Sequence, residues 1–199
     1  MTEELFFAKI RTYVDLPPDA EQAWASLLRE RRYEKDEPFI RAGDVPTTFA
    51  FVVEGLLCQH YVGREGDMVI KYFFPEKRIA ASVSATLLGE PSPFTISAIE
   101  DSTVLEYDFA AFKALVGEYR AIAAFYIKYM EQHWIIEKEP LEIGFRYNNA
   151  LQRYLDFIRR EPDLNKRLKQ HHIAAWLGIT PETLSRLRRA IAYARTDKS

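Results

Sequence analysis

The spacing of apolar positions divides the 199-residue chain into three textures. Pro17-Pro18-Asp19 opens a helical stretch in which Trp24, Leu27 and Leu28 share one face, with Arg29 to Arg32 at its end. From Tyr33 to Tyr107 the period shortens. Runs rich in Phe, Val, Ile and Tyr alternate with turn signals at Ala42-Gly43-Asp44, Glu54-Gly55, Arg64-Glu65-Gly66-Asp67, Pro75-Glu76 and Gly89-Glu90-Pro91. Short strands at such close spacing predict a β sandwich or barrel, and Leu56 to Phe74, with Gly66-Asp67 midway, is the clearest hairpin.

Beyond Asp108, a predicted N-cap, the pattern is helical. Phe109 to Val116 reads as a short helix stopped by Gly117, and a longer one runs from Glu118 to Glu139, where Pro140 should end or kink it. Ile122, Phe125, Tyr129 and Ile136, followed by Ile143, fall at spacings of three, four and seven. Ile127, Met130 and Trp134 form another stripe. A helix that only covers a sheet needs one apolar face, so the second stripe predicts a partner helix, most simply that of a second subunit. The expected homodimer packs through Ile122, Phe125, Tyr129 and Ile136, although Gln132 and Glu139 interrupt a strict heptad. Burial of the helix inside a monomer is the competing reading. Three short helices follow, Leu151 to Arg160, Gln170 to Leu177 and Pro181 to about Ala192, then a polar tail from Arg195 to Ser199.

Composition narrows the class. At 48% hydrophobic and 28% charged residues the chain can build a globular core. No run of about 18 apolar residues is present to span a membrane, and the first ten residues lack the pattern of a signal peptide, so a cytoplasmic protein is expected. Cys58, the only cysteine, excludes an internal disulfide and a multi-cysteine metal site, and is expected in the core. Charge is unevenly divided. Residues 146 to 199 hold 12 Lys or Arg against 5 Asp or Glu, whereas residues 1 to 145 hold 15 against 24. Two parts with different partners are implied, the basic one suited to nucleic acid.

The most specific signal lies between Gln170 and Arg189. A helix-turn-helix needs a small residue where its helices cross, here Ala174, and a turn residue that accepts left-handed geometry, here Gly178. Ile173, Leu177, Ile179, Leu184 and Leu187 supply the inward apolar positions. Thr180 caps the second helix, Pro181 suits its first position and Thr183 closes the cap. The outward face then carries Glu182, Ser185, Arg186 and Arg189, as a recognition helix in a major groove would. Arg can donate two hydrogen bonds to guanine and Glu can accept from cytosine. Lys166, Arg167, Lys169, Arg188 and Arg195 are candidates for phosphate contacts.

A β domain, a long helix and Leu177-Gly178-Ile179-Thr180-Pro181-Glu182-Thr183-Leu184-Ser185-Arg186 together resemble the Crp/Fnr family of bacterial transcription regulators. Gly43-Asp44, Phe51 to Gly55 and Ile99-Glu100-Asp101 extend the likeness into the β domain. The resemblance implies an α+β chain: an antiparallel, cyclic-nucleotide-binding-like β-roll that senses a signal over residues 1 to 117, a dimerisation helix and hinge over 118 to 145, and a C-terminal winged helix-turn-helix over 146 to 199. It implies a homodimer on an inverted repeat of double-stranded DNA, with RNA polymerase and an unidentified small-molecule effector as further partners. Base reading falls on Glu182 and Arg186, and phosphate or flanking contacts fall on Lys169, His171, Thr180 and Thr183. Pro181 departs from the family, standing where cyclic-AMP-responsive members carry a base-reading Arg. So does the phosphate cassette. Ala81 and Ser82 stand at its Gly and Glu, Ser92-Pro93 at its Arg and neighbour, and no Arg lies between Ile79 and Arg120. A phosphodiester needs a cation or a backbone nest, so cyclic nucleotide binding is not expected.

Other chemistry is thin. His60, His133, His171 and His172 lack the spacing of a metal site, and a lone His60 does not make a haem site. His133 and Glu137, four apart on a helix, read as a surface pair. No nucleophile, base and orienter stand together, so neither an enzyme, a metal nor a cofactor is expected. The competing function is a ligand-sensing or protein-interaction module whose C-terminal helices bind a protein. The run Arg186, Arg188 and Arg189 argues against it.

Overall fold

A computed structural model describes residues 2–63 and 66–196, with side chains through residue 193. Met1, Arg64 and Glu65, the last two expected in a turn, the side chain of Arg195 and residues 197–199 lie outside the described part. Contacts divide the chain into one unit of Met1–Tyr61 with Lys71–Glu137 and a second of Val62–Ile70 with Lys138–Ser199.

The first unit begins with α1 (Thr2–Arg11) and α2 (Pro18–Ala25). Their apolar residues meet at Trp24, which is wholly buried with its ring centroid 5.1 Å from Phe6, 4.9 Å from Phe112 and 5.1 Å from Phe125. Strands β1 (Arg29–Tyr33), β2 (Pro38–Ile40), β3 (Thr48–Glu54), β4 (Leu57–Val62), β5 (Met68–Phe74) and β6 (Ile79–Ala80) follow. Helix α3 (Val83–Leu88) then precedes β7 (Thr95–Ala98) and β8 (Ser102–Asp108). The strands form two four-stranded sheets, ordered β1-β8-β3-β6 and β2-β7-β4-β5. Ile40, Ala50, Val52, Leu57, Phe74, Ile96 and Val104 join in one buried cluster drawn from both sheets. The expected hairpin is β4 and β5.

Arg29–Arg32 is a strand, not the end of a helix. It pairs antiparallel with β8, from Arg29 opposite Glu106 to Tyr33 opposite Ser102. Four of its five residues are exposed at the sheet edge, so no apolar alternation announces it. At the β3–β4 turn, Gly55 has φ +97°, and a Cβ there would lie 2.7 Å from the Asp101 carbonyl oxygen. Only glycine fits both the space and the backbone angle.

Asp108 caps α4 (Phe109–Glu118) by accepting from Ala111 N at 2.8 Å. Gly117 does not stop this helix. The break falls at Tyr119, whose extended backbone separates α4 from α5 (Arg120–Met130). A π-helical segment, Glu131–Ile136, follows, and the helical part of the second unit starts with α6 (Lys138–Tyr147). Pro140 lies in the first turn of α6, where its missing N–H breaks no helical bond, so the helix continues past it.

The stripe expected to face a second subunit is spent on the first unit's own core. Ile122 is 0% and Phe125 1% exposed, packed with Trp24 and Phe51, and Tyr129 is buried with its hydroxyl accepting from Ile79 N at 3.0 Å. The helix bearing them covers the aromatic cluster built by α1 and α2, which the dimer expectation left out. Only Ile136 of the four is exposed, alongside Ile127 and Ile135. His133 and Glu137 also change character. The His133 side chain is 9% exposed, hydrogen-bonded through Nε2 to the Tyr13 hydroxyl at 2.7 Å, with Nδ1 donating to Glu137 at 3.0 Å and the Arg78 guanidinium beside it. Cys58 is buried as expected, its Sγ 3.7 Å from His60 Nδ1, and burial raises the thiol to about 11.

The second unit continues with α7 (Ala150–Arg160), α8 (Pro162–Arg167), α9 (Gln170–Leu177) and α10 (Pro181–Thr196). Asn149 caps α7 through a reciprocal box with Gln152. The short α8 carries one buried apolar residue, Leu164, too little periodicity to be read from the sequence. No strand follows β8 among the described residues, so a wing beside the helix-turn-helix is not part of them.

Candidate nucleic-acid interface

Helices α9 and α10 meet across Gly178, whose φ of +65° and ψ of +38° place it in the left-handed region. Gly178 N and Ile179 N both return to the Ala174 carbonyl, closing the end of α9. Ile173, Ala174, Leu177 and Leu184 are all at most 1% exposed. Thr180 Oγ1 accepts from Thr183 N at 3.2 Å, which caps α10 as expected. Gln170 Nε2 donates to the Pro181 carbonyl at 2.6 Å, tying the start of α9 to the start of α10.

This framework brings Glu182, Arg186 and Arg189 to the exposed side of α10. Ser185 and Thr183 are half-buried beside them, and Arg186 Nη2 donates to Thr183 Oγ1 at 3.1 Å. The Glu182 carboxyl is held below its ordinary range, first by its own backbone N–H, then by the Thr180 hydroxyl and the charge of Arg186. Free backbone N–H groups at a helix start favour such an anion. Lys169, which precedes α9, together with His171 and Thr180, is exposed on the same two-helix motif. Lys166 is exposed and pairs with Asp163, and Arg167 is exposed.

Arg188 does not belong to this face. It is half-buried, its Nε donates to the Tyr154 hydroxyl at 2.9 Å, and its guanidinium lies 5.6 Å from the centre of that ring. It bolts α10 to α7. Sequence reasoning also missed Arg153 and Gln170, whose bonds to the Leu177 and Pro181 carbonyls span 24 and 11 residues. Their only signal was polarity at helix positions.

The residues that the resemblance sets against the phosphate cassette lie in the first unit. Ser82 and Ser92 are each 1% exposed, with their Oγ atoms 2.8 Å apart. Ser92 Oγ also donates to the Phe94 carbonyl and accepts from Phe94 N. Two neutral hydroxyls satisfy one another at these positions, and no Asp, Glu, Lys or Arg is among the buried residues described. Among the described residues no three His, Cys, Asp or Glu side chains converge as metal ligands. No described helix is long and apolar enough to cross a membrane.

Residues 30–119 match the cyclic nucleotide-binding domain family. FixK2 of Bradyrhizobium japonicum superposes with a TM-score of 0.70 at 19% identity, covering 84% of this chain and 85% of that one. A CooA mutant from Carboxydothermus hydrogenoformans gives 0.67 at 20%, covering 85% and 78%. A protein assigned to the crp/fnr family of transcriptional regulators from Eubacterium rectale gives 0.65 at 18%, covering 90% and 85%. Comparison with curated protein sequences finds no match. Residues 30–119 are thus similar to the cyclic nucleotide-binding domain family, in a chain whose fold is that of the solved Crp/Fnr-type structures.

Proposed function

We propose that the chain is a homodimeric transcription regulator that binds an inverted repeat of double-stranded DNA, not an enzyme. The observation that carries this reading is the outer face of α10. Its first turns present Glu182 and Arg186 to solvent while Leu184, between them, is sealed behind α9. An N-terminal, exposed, charged face on the second helix of such a motif is what enters a major groove. Arg186 donates to guanine O6 and N7, Glu182 accepts from cytosine N4, and Lys169, His171 and Arg189 flank them at the phosphates.

The dimer face consists of the apolar residues that the fold leaves outside, Ile127, Ile135 and Ile136. Residues 1–117 act as sensor, 118–145 as dimerisation helix and hinge, and 146–199 as DNA-binding domain. The effector is not cyclic AMP or cyclic GMP, because hydroxyls stand where the cassette would supply charge.

Enrichment of bound sequences from random duplex DNA tests the reading. A symmetric site with half-sites about one helical turn apart is expected. Failure to enrich any sequence, or enrichment of a site without two-fold symmetry, would overturn it.

A further inference from the structure

We infer that Thr183 is the positioning residue that holds Arg186 ready to read a base; this rests on the DNA-binding reading above. Thr183 is the third residue of α10, in the turn where that helix begins. Its backbone N–H is already met by the Thr180 cap, so starting the helix does not require its hydroxyl. That hydroxyl belongs to a half-buried side chain and accepts from two donors of the same motif. The Thr180 hydroxyl lies 3.2 Å from it and Arg186 Nη2 lies 3.1 Å from it. A helical side chain leans toward the N-terminus of its helix, so the Arg186 guanidinium reaches back over the turn that carries Thr183.

Ordering a long arginine side chain costs rotamer freedom, and a side chain ordered before binding does not lose that freedom again at the interface. The guanidinium is a rigid planar fork, so fixing one nitrogen restrains the whole group. The contact with Thr183 takes a single N–H and leaves Nη1 and the second hydrogen of Nη2 for guanine O6 and N7. Glu182 feels the charge of Arg186, a second restraint on the same side chain. Arg189, exposed three residues further on, makes no hydrogen bond with another described residue. One arginine of this face is therefore ordered ahead of binding and the other is not. The first suits a base edge, where the direction of each bond decides recognition, and the second suits a phosphate.

The test uses the full-length chain and three duplexes: the site enriched by the wild type, random DNA, and a variant site. The variant changes, in one half-site, the base pair whose preference Arg186→Ala flattens. Preference is the ratio of affinities for the enriched and variant sites, and folding is followed by circular dichroism. Thr183→Val keeps the shape of the side chain and the backbone cap but has no hydroxyl. It should lower the preference by about three- to tenfold, the range of one hydrogen bond, and leave affinity for random DNA unchanged. Thr183→Ser, which returns the acceptor, should recover most of the preference. In the Arg186→Ala background Thr183→Val should change the preference no further, since its effect passes through Arg186. Equal weakening of all three duplexes by Thr183→Val would make Thr183 a phosphate contact and overturn the inference. So would a folded Thr183→Val with the wild-type preference, or an effect on preference that persists in Arg186→Ala. If Thr183→Val does not fold, Thr183→Ala, a better helix former, is read by the same criteria. Should Arg186→Ala leave every base preference unchanged, the base-reading assignment itself fails and the inference falls with it.

Discussion

At the scale of single residues, the densest chemistry in the first unit surrounds Glu137. Arg78 Nη2 lies 2.9 Å from its carboxylate and His133 Nδ1 lies 3.0 Å from it, while Tyr13 holds the other ring nitrogen of His133. Burial works against the Glu137 charge. The hydrogen bond from His133 and the charge and hydrogen bond of Arg78 outweigh it and hold the group near 2, below its ordinary 4.5. The sign follows from the depressed value: this stability is fully present above about 4.5 and is lost as pH falls toward 2. Glu137→Gln should cost about 1–3 kcal/mol at neutral pH and should weaken the decline of stability across that window. Urea denaturation at a series of pH values measures both, and an acid limb identical to the wild type would contradict the assignment. The sequence displayed the His133–Glu137 spacing but not its partners. Arg78 and Tyr13 are 55 and 120 residues from His133, and no local pattern encodes a hydrogen bond over that separation.

Among the elements, the two helix-bound stripes were visible, yet which one faces outward was not. Periodicity says that a residue is apolar on one face; it does not say whether the covering surface is the same chain or another. Here α1 and α2 deliver Phe6, Phe7 and Trp24 to the face bearing Ile122, Phe125 and Tyr129. Phe125→Ala should therefore unfold the first unit more readily, by about 3–5 kcal/mol, and not merely separate subunits. Ile127→Asp with Ile135→Asp should leave urea stability of the separated chains close to the wild type, while light scattering shows loss of the dimer. Should Phe125→Ala give stable, folded monomers, the core assignment fails. The helix-turn-helix was legible for the opposite reason. Its turn, cap and crossing positions all lie within twenty residues, where Gly178, Thr180 and Ala174 each answer to a local constraint. Strand β1 was not legible, because an exposed edge strand needs no apolar alternation and its partner β8 lies some seventy residues on.

Over the whole molecule, charge divides into an acidic part, residues 1–145, and a basic part, residues 146–199, and the proposed sensing and DNA-binding roles make separate predictions for each. For the roll, calorimetry with cyclic AMP and cyclic GMP should give no heat of binding at micromolar concentrations, since Ser82 and Ser92 provide no charge to meet a phosphodiester. Micromolar affinity for either would overturn that. For the basic part, three substitutions should separate base reading, phosphate contact and scaffold. Arg186→Ala should cost about 1–3 kcal/mol per half-site and flatten preference at one guanine. Lys169→Ala should weaken all sequences alike and lower the salt slope by roughly one unit per lost phosphate contact. Arg188→Ala should leave that slope unchanged and instead lower thermal stability, because its bond goes to Tyr154. Titrations of the enriched site, its point variants and random DNA at several salt concentrations distinguish the three. If Arg186→Ala weakens specific and random DNA equally, Arg186 contacts phosphate and the base-reading role passes to another residue of α10. If Arg188→Ala lowers the slope, the side chain leaves Tyr154 on binding, and the bolt between α10 and α7 is itself part of DNA recognition.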